Sequence, residues 1–331
     1  MREVPANILD ILRSRAPFVI TAHERPDGDA VGAVLGLRRI LVEADVPAIA
    51  MGLEPMPPRY RFLAVDGEIQ SPTVKWWRAA QALIALDCGA FDRLPEFAQA
   101  ARGRITIVNI DHHDANAHFG DINWVDARAS SAGEMVCRLA DAAGYAISKA
   151  AAEALWTAIV TDTGQFSYAN TSADVLRLAA ELLEKGVNTA DIHRRVYQSF
   201  SLSEMRLTER ALASLTLHEA GKVATICLAR EDFVALGCGP ENIQEIVNIA
   251  RSVAGVEVGL FLYEPSDEPA TKISVRTVPP LNASELCRCF GGGGHQRAAG
   301  CTFPGRLSAA MPAVLAEVRK MWYAGRKTEH K

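Results

Sequence analysis

The chain has 331 residues, 49% of them hydrophobic and 22% charged, and a net charge of −4. This composition is typical of a compact protein long enough for two domains, and it excludes a disordered or fibrous protein. The net negative charge argues against extensive binding to duplex nucleic acid, which usually requires a basic surface, but it is compatible with a small phosphorylated ligand.

The cysteines and the first residues predict the compartment. The seven cysteines are scattered and include no Cys-x-x-Cys pair, a pattern that favours reduced thiols over a disulfide framework or a zinc ribbon. Residues 1–16 lack the uninterrupted apolar block of a signal peptide, and no apolar run approaches the ~18 residues of a membrane span. We therefore expect a cytoplasmic protein without a membrane segment.

The first half of the chain alternates apolar strands with helices. Strands are predicted at residues 17–22, 48–51, 83–86 and 104–110, and helices at residues 7–14, 30–44, 135–143 and 150–160. Continuous apolar strands of this kind predict a parallel sheet with helices on both faces. In such sheets ligands bind beyond the carboxyl ends of the strands, so the residues that follow each strand are candidates for a site.

The second half continues as helices to about residue 212 and then changes its pattern. Strands are predicted at residues 223–228, 257–263 and 272–278, and helices at residues 242–252, 283–289 and 307–322. These elements predict a second, smaller α/β domain, with a cleft between the two domains. The expected division is residues 1–190 for the first domain, 191–215 for a helical linker, 216–323 for the second domain and 324–331 for a tail.

Three candidate metal ligands, His23, Asp27 and Asp29, lie between the first predicted strand and the following helix. Gly28 would let the backbone turn tightly between the two aspartates, so that both carboxylates converge. The alternative is that Asp29 only caps the helix. Capping explains one residue and leaves the other two without a role.

Further candidates follow the next strands. Asp87 ends the strand at residues 83–86, where an ordinary turn residue is the alternative. In Asp111-His112-His113, successive side chains of an extended segment point to opposite sides, so both imidazoles are not expected to bind one ion. We assign His112 to a metal and His113 to a phosphate oxygen, with Asp111 orienting the cluster. A solvated polar loop is the alternative.

Asp162 ends a predicted helix with an apolar face, where an unpaired carboxylate would be costly and a cation would be a suitable partner. A simple helix stop is the alternative. Together with Asp27, Asp29 and Asp87 it supplies negative charge that two divalent ions would neutralise. Two ions ~3.5–4 Å apart can activate a water and bind phosphoryl oxygens. Oxygen and imidazole ligands without thiolate suit Mn²⁺ or Mg²⁺.

A glycine run in the predicted second domain is a candidate for anion binding, because glycine lets backbone N–H groups approach a phosphate closely. The candidates are Gly292, Gly293, Gly294 and the following His295. Arg276 at the end of a strand and Arg297 after the run could bind phosphate with a guanidinium fork, and Arg276 is the preferred candidate. A flexible turn is the alternative for the glycines.

Taken in order, these motifs resemble those of the DHH phosphoesterase family. The matching segments of the first domain are His23-x-x-x-Asp27-x-Asp29, Leu86-Asp87-Cys88, Asp111-His112-His113 and Thr161-Asp162-Thr163-Gly164. Ser274-Val275-Arg276 and the segment from Gly291 to Gly300 resemble the family's associated C-terminal substrate-binding domain. Within the family, the two-domain layout and the length are most similar to the nano-RNases that also act as phosphatases on 3′-phosphoadenosine 5′-phosphate (pAp).

The resemblance implies a role for each residue. One Mn²⁺ would be held by His23, Asp27 and Asp87, and the other by Asp29, Asp87, His112 and Asp162, with Mg²⁺ as the alternative metal. The substrate phosphates would be bound by His113, Arg276, Gly292, Gly293, Gly294 and His295. Gly32-Ala33 stands where many relatives have Gly-Ser, which bears on substrate preference and not on metal binding.

The resemblance also implies RNA degradation, as hydrolysis of very short RNA to nucleoside monophosphates, together with dephosphorylation of pAp. The second domain would close over the cleft and favour short oligonucleotides over long ones. Alternatives are a phosphodiesterase for linear or cyclic dinucleotides, a single-strand exonuclease and a non-catalytic nucleotide sensor. The residues do not set the oligomeric state, for which a homodimer is one option.

Overall fold

The computed structural model describes residues 3–72, 79–239, 242–243, 246–265 and 269–326. The chain divides into two compact units, Met1–Ser199 and Phe200–Lys331, which we call the N-terminal unit and the C-terminal unit. Each unit contains a six-stranded sheet.

The sheet of the N-terminal unit is parallel throughout, as the apolar strands predict. Its strands are β1 (Phe18–Thr21), β2 (Ala48–Met51), β3 (Ile69–Gln70), β4 (Ala82–Leu86), β5 (Thr106–Asp111) and β6 (Ile122–Val125). They lie in the order β3-β2-β1-β4-β5-β6, so the strand order reverses between β1 and β4. A reversal of this kind opens a crevice beyond the carboxyl ends of the central strands.

Helices cover the two faces of this sheet unequally. They are α1 (Ala6–Arg13), α2 (Gly28–Glu43), α3 (Glu96–Gln99), α4 (Ala132–Ala143), α5 (Lys149–Asp162), α6 (Ala173–Glu184) and α7 (Thr189–Tyr197). A large core on one face includes Leu35 of α2, Val136 of α4 and Leu155 of α5. On the other face Leu83 packs with Ala98 of the short helix α3. The predicted arrangement, a parallel sheet with helices on both faces, is therefore confirmed.

Helices α2 and α5 approach each other closely because α2 has glycine at every fourth position of one face. A Cβ at Gly32 would lie 2.3 Å from the Ala154 carbonyl oxygen, and a Cβ at Gly36 would lie 2.6 Å from Leu155 Cδ2. These distances leave no space for larger side chains. The contact brings the first residues of α2 close to the last turn of α5, which carries Asp162.

The C-terminal unit is a second α/β layer structure, as predicted. Its strands are β7 (Thr216–His218), β8 (Val223–Leu228), β9 (Val258–Tyr263), β10 (Thr271–Thr277), β11 (Gly293–Gly294) and β12 (Ala298–Phe303). They lie in the order β11-β12-β10-β9-β8-β7, with β8 and β9 parallel and the other neighbours antiparallel.

The helices of this unit pack on both faces of its sheet. They are α8 (Leu202–Ala213), α9 (Arg230–Leu236), α10 (Ile246–Arg251), α11 (Ala283–Arg288) and α12 (Leu307–Arg326). Leu286 of α11 and Val314 of α12 belong to one apolar cluster, whereas Leu207 of α8 and Phe233 of α9 belong to another. The sheet separates two small cores, which explains why both faces of its strands are apolar.

Residues 191–215, predicted as a helical linker, contain the last residues of α7 and the whole of α8. Ile192 and Val196 of α7 pack in the core of the N-terminal unit, and Leu207 and Ala211 of α8 pack in the C-terminal unit. The predicted domain boundaries stay a prediction. Helix α12 continues to Arg326, and residues 327–331 of the predicted tail lie outside the described residues. Among the described residues, none of the helices combines the length and apolarity required to cross a bilayer.

Candidate metal and phosphate site

The candidate ligands of the N-terminal unit converge at the carboxyl edge of its sheet. His23 follows β1, Asp87 directly follows β4, and Asp111 is the last residue of β5. The N-terminus of α2 and the C-terminus of α5 supply the remaining carboxylates. Asp87 has a φ of 52°, a left-handed conformation that costs energy in a residue with a side chain and is common at functional sites.

One group of ligand atoms comes from His23, Asp27 and Asp87, which lie within 4.8 Å of one another. His23 Nε2 lies 3.6 Å from Asp87 Oδ2. The other ring nitrogen, Nδ1, lies 2.8 Å from the carbonyl oxygen of Glu24. A carbonyl oxygen only accepts, so Nδ1 carries the proton and Nε2 presents its lone pair towards the aspartates.

A second group comes from Asp29, His112 and Asp162. His112 Nε2 lies 3.5 Å from Asp29 Oδ2, 3.7 Å from Asp162 Oδ2 and 3.4 Å from Asp87 Oδ1. Asp87 therefore faces His23 with one oxygen and His112 with the other. Its side chain is 3% exposed, so a single buried carboxylate lies between the two groups.

Asp87 Oδ1 is buried and accepts no hydrogen bond from the described residues. A buried carboxylate oxygen without a partner is costly, and a cation is one way to satisfy it. His23 Nε2 lies 3.6 Å from Asp87 Oδ2 and His112 Nε2 lies 3.4 Å from Asp87 Oδ1, distances that suit ligands sharing an ion about 2.0–2.2 Å from each. These residues therefore fit a pair of divalent ions.

The neighbouring cysteine is not part of this donor set. The Cys88 thiol donates to the carbonyl oxygen of Ala90 at 3.1 Å, and burial raises its pKa to about 12. A thiolate is therefore not formed at neutral pH. Oxygen and imidazole donors remain, which suit Mn²⁺ or Mg²⁺ better than a structural zinc.

The two aspartates of the first motif also hold helix ends. Asp27, and not Asp29, is the N-cap of α2, since its side chain accepts hydrogen bonds from the backbone N–H groups of Asp29 and Ala30. Asp29 instead accepts from the N–H groups of Ala132 at 2.6 Å and Gly133 at 2.9 Å, at the start of α4. The alternative that Asp29 only caps α2 is therefore excluded, and a different helix, α4, fixes this carboxylate.

Gly28 has a different role from the expected tight turn. It is the first residue of α2, and a Cβ there would lie 2.5 Å from Thr161 Oγ1. Thr161 belongs to α5, one residue before Asp162. Gly28 thus permits close approach of the two helices that carry Asp29 and Asp162.

His113 is oriented by the residues around it. Its Nδ1 lies 2.7 Å from Asp111 Oδ1, and Asn116 Nδ2 donates to Asp111 Oδ2 at 2.6 Å. Burial opposes the charged imidazole, but Asp111 outweighs it and raises the pKa of His113. With Nδ1 bound to Asp111, Nε2 is the ring nitrogen that can donate to a phosphate oxygen. Asn116 was not expected from the sequence, in which nothing marks an asparagine in a loop.

Asp162 is less enclosed than its helix suggests, because 29% of its side chain is exposed. Asn170 Nδ2 donates to the Asp162 carbonyl oxygen at 3.1 Å and to the Ser130 carbonyl oxygen at 2.9 Å, and it lies 3.5 Å from Asp162 Oδ2. Asn170 therefore connects Asp162 to the segment that leads into α4. The sequence analysis did not identify Asn170 either.

Burial and the neighbouring charges shift the pKa values of three carboxyl groups in these two ligand groups. Burial and the Asp87 carboxylate raise the pKa of Asp29 well above its usual range. Burial raises the pKa of Asp162 to about 6, against the opposing influence of His112. For Asp87, burial is outweighed by His112 and His23, so its pKa falls well below the usual range. Burial and repulsion between the carboxylates thus oppose the ionised forms of Asp29 and Asp162, and a divalent cation would offset both effects.

The phosphate-binding candidates of the C-terminal unit lie on or beside β10 and β11, which both pair with β12. Arg276 of β10 pairs with Ala298 of β12, and Gly294 of β11 pairs with Ala299. The backbone N–H of His295 donates to the Ala298 carbonyl oxygen at 2.8 Å in the turn between β11 and β12. Arg276 and His295 are therefore brought to the same end of the sheet.

Two of the glycines also have a packing role. A Cβ at Gly292 would lie 2.2 Å from the Gly300 carbonyl oxygen, and a Cβ at Gly294 would lie 2.7 Å from the Ala298 carbonyl oxygen. Gly293 has open space around its Cα. Close approach of β11 and β12 therefore explains Gly292 and Gly294 without a ligand, whereas Gly293 leaves its backbone accessible.

Comparison with known proteins gives two family matches. The profile described as the DHH family, N-terminal domain, matches residues 17–159, and the profile of the DHHA1 domain matches residues 221–322. A crystal structure of an exopolyphosphatase-related protein from Bacteroides fragilis has 29% sequence identity and a TM-score of 0.86, and the match covers 96% of this chain and 97% of that one.

Two relatives have names that describe an activity. The bifunctional oligoribonuclease and PAP phosphatase NrnA of Thermus thermophilus is 35% identical over 320 residues, which is 95% of this chain and 93% of the relative. The protein of the same name from Bacillus subtilis is 26% identical over 288 residues, 86% of this chain and 88% of the relative. Both matches span the two units.

Proposed function

The chain belongs to the DHH family of phosphoesterases, and on that premise we propose that it hydrolyses very short oligoribonucleotides and dephosphorylates pAp. The relatives whose names describe both activities match nearly the whole chain. The observation that carries the proposal is the position of Asp87, a buried carboxylate with one oxygen facing His23 and the other facing His112. Such a shared ligand is what a two-metal phosphoesterase requires.

These contacts support an assignment of the metal ligands. His23, Asp27 and Asp87 would hold one ion, and Asp29, Asp87, His112 and Asp162 the other, with Mn²⁺ as the preferred metal and Mg²⁺ as the alternative. When bound, the two ions supply an activated water and neutralise charge on the phosphoryl group. The chain itself fixes the ligands, through the Glu24 carbonyl oxygen at His23 and the α4 amides at Asp29.

His113 would act on the substrate instead of on a metal. Asp111 and Asn116 hold the imidazole, and its side chain is 22% exposed, so Nε2 can donate to an equatorial phosphate oxygen. A donor held in place before the reaction stabilises the charge that develops there. Arg276, Gly292, Gly293, Gly294 and His295 of the C-terminal unit would bind the other substrate phosphates.

The limit to short substrates follows from the charge of the chain. The net charge is −4, which disfavours contact with a long line of phosphates. Local donors such as His113 and Arg276 suffice for one or two phosphates. We further propose that the protein is cytoplasmic, since none of the seven cysteines, all of which lie within the described residues, is in a disulfide. A homodimer stays a prediction.

The test is hydrolysis by the purified protein with Mn²⁺ and labelled pAp, dinucleotide, 5-mer and 20-mer. We expect turnover of pAp and the dinucleotide, slower turnover of the 5-mer and none of the 20-mer. Equal rates on the 20-mer would instead indicate a single-strand exonuclease. Tight binding without turnover would indicate a nucleotide sensor, and faster turnover of a cyclic dinucleotide would indicate a messenger phosphodiesterase.

A further inference from the structure

A cavity in the N-terminal unit is lined by His113 together with residues that are not candidate metal ligands. Its volume is about 480 Å³, and its wall continues from Asp114 and His118 to the loop that contains Ala127 and Arg128. Small-molecule sites usually have volumes of about 300–1,000 Å³. The cavity is thus large enough for one nucleotide next to a phosphate that is bound at His113.

Arg128 presents a guanidinium group at the rim of this cavity. Its Nε donates to Asp126 Oδ1 at 3.1 Å, and 62% of its side chain is exposed, whereas the Asp126 side chain is 2% exposed. Among the described residues, the two terminal nitrogens of Arg128 donate to nothing. A buried carboxylate therefore holds the guanidinium while its terminal nitrogens face solvent, a geometry suited to a phosphate.

The charge around this carboxylate is also suited to an anion. Asp126 Oδ2 lies 3.5 Å from an amino group of Arg138, so two guanidinium groups share one buried carboxylate. The excess charge there is positive. Asp114, which is exposed, lines the cavity as well. A phosphate is therefore expected on the Arg128 side, and the Asp114 carboxylate could accept a hydrogen bond from a ribose hydroxyl.

The cavity wall is connected to the candidate catalytic residues. His118 has a φ of 49°, a strained conformation for a residue with a side chain. Its backbone N–H donates to Asn116 Oδ1, and the amide nitrogen of the same asparagine donates to Asp111 Oδ2; both bonds are 2.6 Å long. One asparagine therefore fixes both the wall at His118 and the carboxylate that orients His113.

We propose that this cavity binds the nucleotide on the 3′ side of the hydrolysed phosphate of a short RNA, with Arg128 contacting the 3′-phosphate of that nucleotide. The inference rests on the proposed function and names a binding position that the hydrolysis itself does not require. pAp carries no nucleotide on the 3′ side of its 3′-phosphate, so it does not fill the cavity. A dinucleotide does, and the cavity is therefore a determinant of the preference between oligonucleotides and pAp.

The test compares the dissociation constants of pAp and a 3′-phosphorylated dinucleotide with a hydrolysis-resistant phosphorothioate linkage, with the full chain loaded with Mn²⁺. We expect Arg128→Ala to weaken dinucleotide binding about tenfold relative to pAp binding, since a charge-assisted contact is lost. Arg128→Lys keeps the charge but loses the fork and should restore part of the affinity. Ala127→Trp should also weaken binding of the dinucleotide selectively, because the added ring occupies the cavity.

The matched control is Arg104→Ala, since Arg104 is an exposed arginine of the same unit that does not line the cavity. It should change neither dissociation constant. Equal effects of Arg128→Ala and Ala127→Trp on both ligands, or no effect of either variant, would overturn the proposal. Failure of the wild-type protein to hydrolyse either substrate would contradict the proposed function, while the ratio of the two dissociation constants would still decide whether the cavity binds the nucleotide on the 3′ side.

Discussion

At the scale of single residues, Asp87 is the point on which the candidate site depends. It is 2% exposed, follows β4 with a left-handed backbone, and lies within reach of three histidines. Its Oδ1 atom has no hydrogen-bond partner among the described residues. No other candidate ligand faces both groups of ligands in this way, so we expect its loss to affect both ions.

Asp87→Ala should therefore reduce kcat/KM on a dinucleotide by at least about 100-fold, because both ions lose a ligand. His295→Ala should mainly raise KM, since that residue is assigned to the substrate. Steady-state kinetics with Mn²⁺ measure both effects. The control is Asp92→Ala, which changes an exposed aspartate that is not a candidate ligand. A wild-type rate in Asp87→Ala would defeat the assignment of two metals.

Asn170 is expected to act by positioning Asp162. Asn170→Ala removes the hydrogen bonds to the Asp162 and Ser130 carbonyl oxygens, so we expect Mn²⁺ affinity to fall about 10-fold, the lower end of the range for residues that orient metal ligands. Calorimetric titration with Mn²⁺ measures this directly. Asn188→Ala is the matched control, since Asn188 caps α7 and its loss should lower stability by about 1 kcal/mol without changing Mn²⁺ affinity. Unchanged affinity in Asn170→Ala would show that its role is only structural.

At the scale of elements, the glycine face of α2 sets the distance between the helices that carry Asp29 and Asp162. Gly32→Ala would place a Cβ 2.3 Å from the Ala154 carbonyl oxygen, so backbone must move. We expect a loss of about 1–3 kcal/mol in the free energy of unfolding of the N-terminal unit, typical of an overpacked core. The shifted helices should also weaken Mn²⁺ binding.

Gly300→Ala is the matched control for this change. The nearest atom to its added Cβ, the Ile273 carbonyl oxygen, is 3.5 Å away, an ordinary contact. Thermal denaturation of both variants gives the comparison. Equal stability of Gly32→Ala and the wild type would contradict the proposed close packing of α2 on α5.

The strands also show which parts of the fold can be predicted from the sequence alone. Strands β1, β4 and β5 are continuous apolar runs that end at polar residues, and both features are local, so the sequence predicts them. The two-residue strand β11 contains only Gly293 and Gly294, which leaves no apolar pattern to detect. Contacts between residues far apart in sequence cannot be predicted from a local pattern either. The bond from the Ala132 N–H to Asp29 joins residues 103 positions apart, so the sequence analysis did not identify the helix that fixes this carboxylate.

At the scale of the whole molecule, one buried ion pair connects distant parts of the N-terminal unit. Glu68 is 6% exposed and accepts hydrogen bonds from Arg39 at 2.8 and 2.7 Å and from Arg38 at 3.0 Å. Burial opposes the charged carboxylate, but the hydrogen bonds from Arg39 outweigh it and lower the pKa of Glu68. A carboxyl whose pKa is lower in the folded protein stabilises the fold once the pH exceeds the unfolded pKa, about 4.3.

This stabilisation should be lost as the pH falls through the lowered pKa of Glu68. Glu68→Gln should therefore destabilise the protein at pH 7 by about 3 kcal/mol, because Arg39 is left without its charge partner. The difference from the wild type should shrink below about pH 4. Urea denaturation across this pH range gives the free energies. The control is Asp174→Asn, which removes an exposed ion pair with Arg177 and should change the free energy of unfolding little at any pH. A stability difference between Glu68→Gln and the wild type that does not change with pH would contradict this role of Glu68.

The central claim is that carboxylates and imidazoles distant in sequence lie close together because they hold two divalent ions. Electron paramagnetic resonance of the Mn²⁺-loaded chain tests this claim most directly. We predict that two Mn²⁺ bind per chain and give a spin-coupled spectrum, because both ions share the Asp87 carboxylate. Asp87→Ala should abolish the coupling. A stoichiometry of one, or two uncoupled ions in the wild-type protein, would contradict the claim.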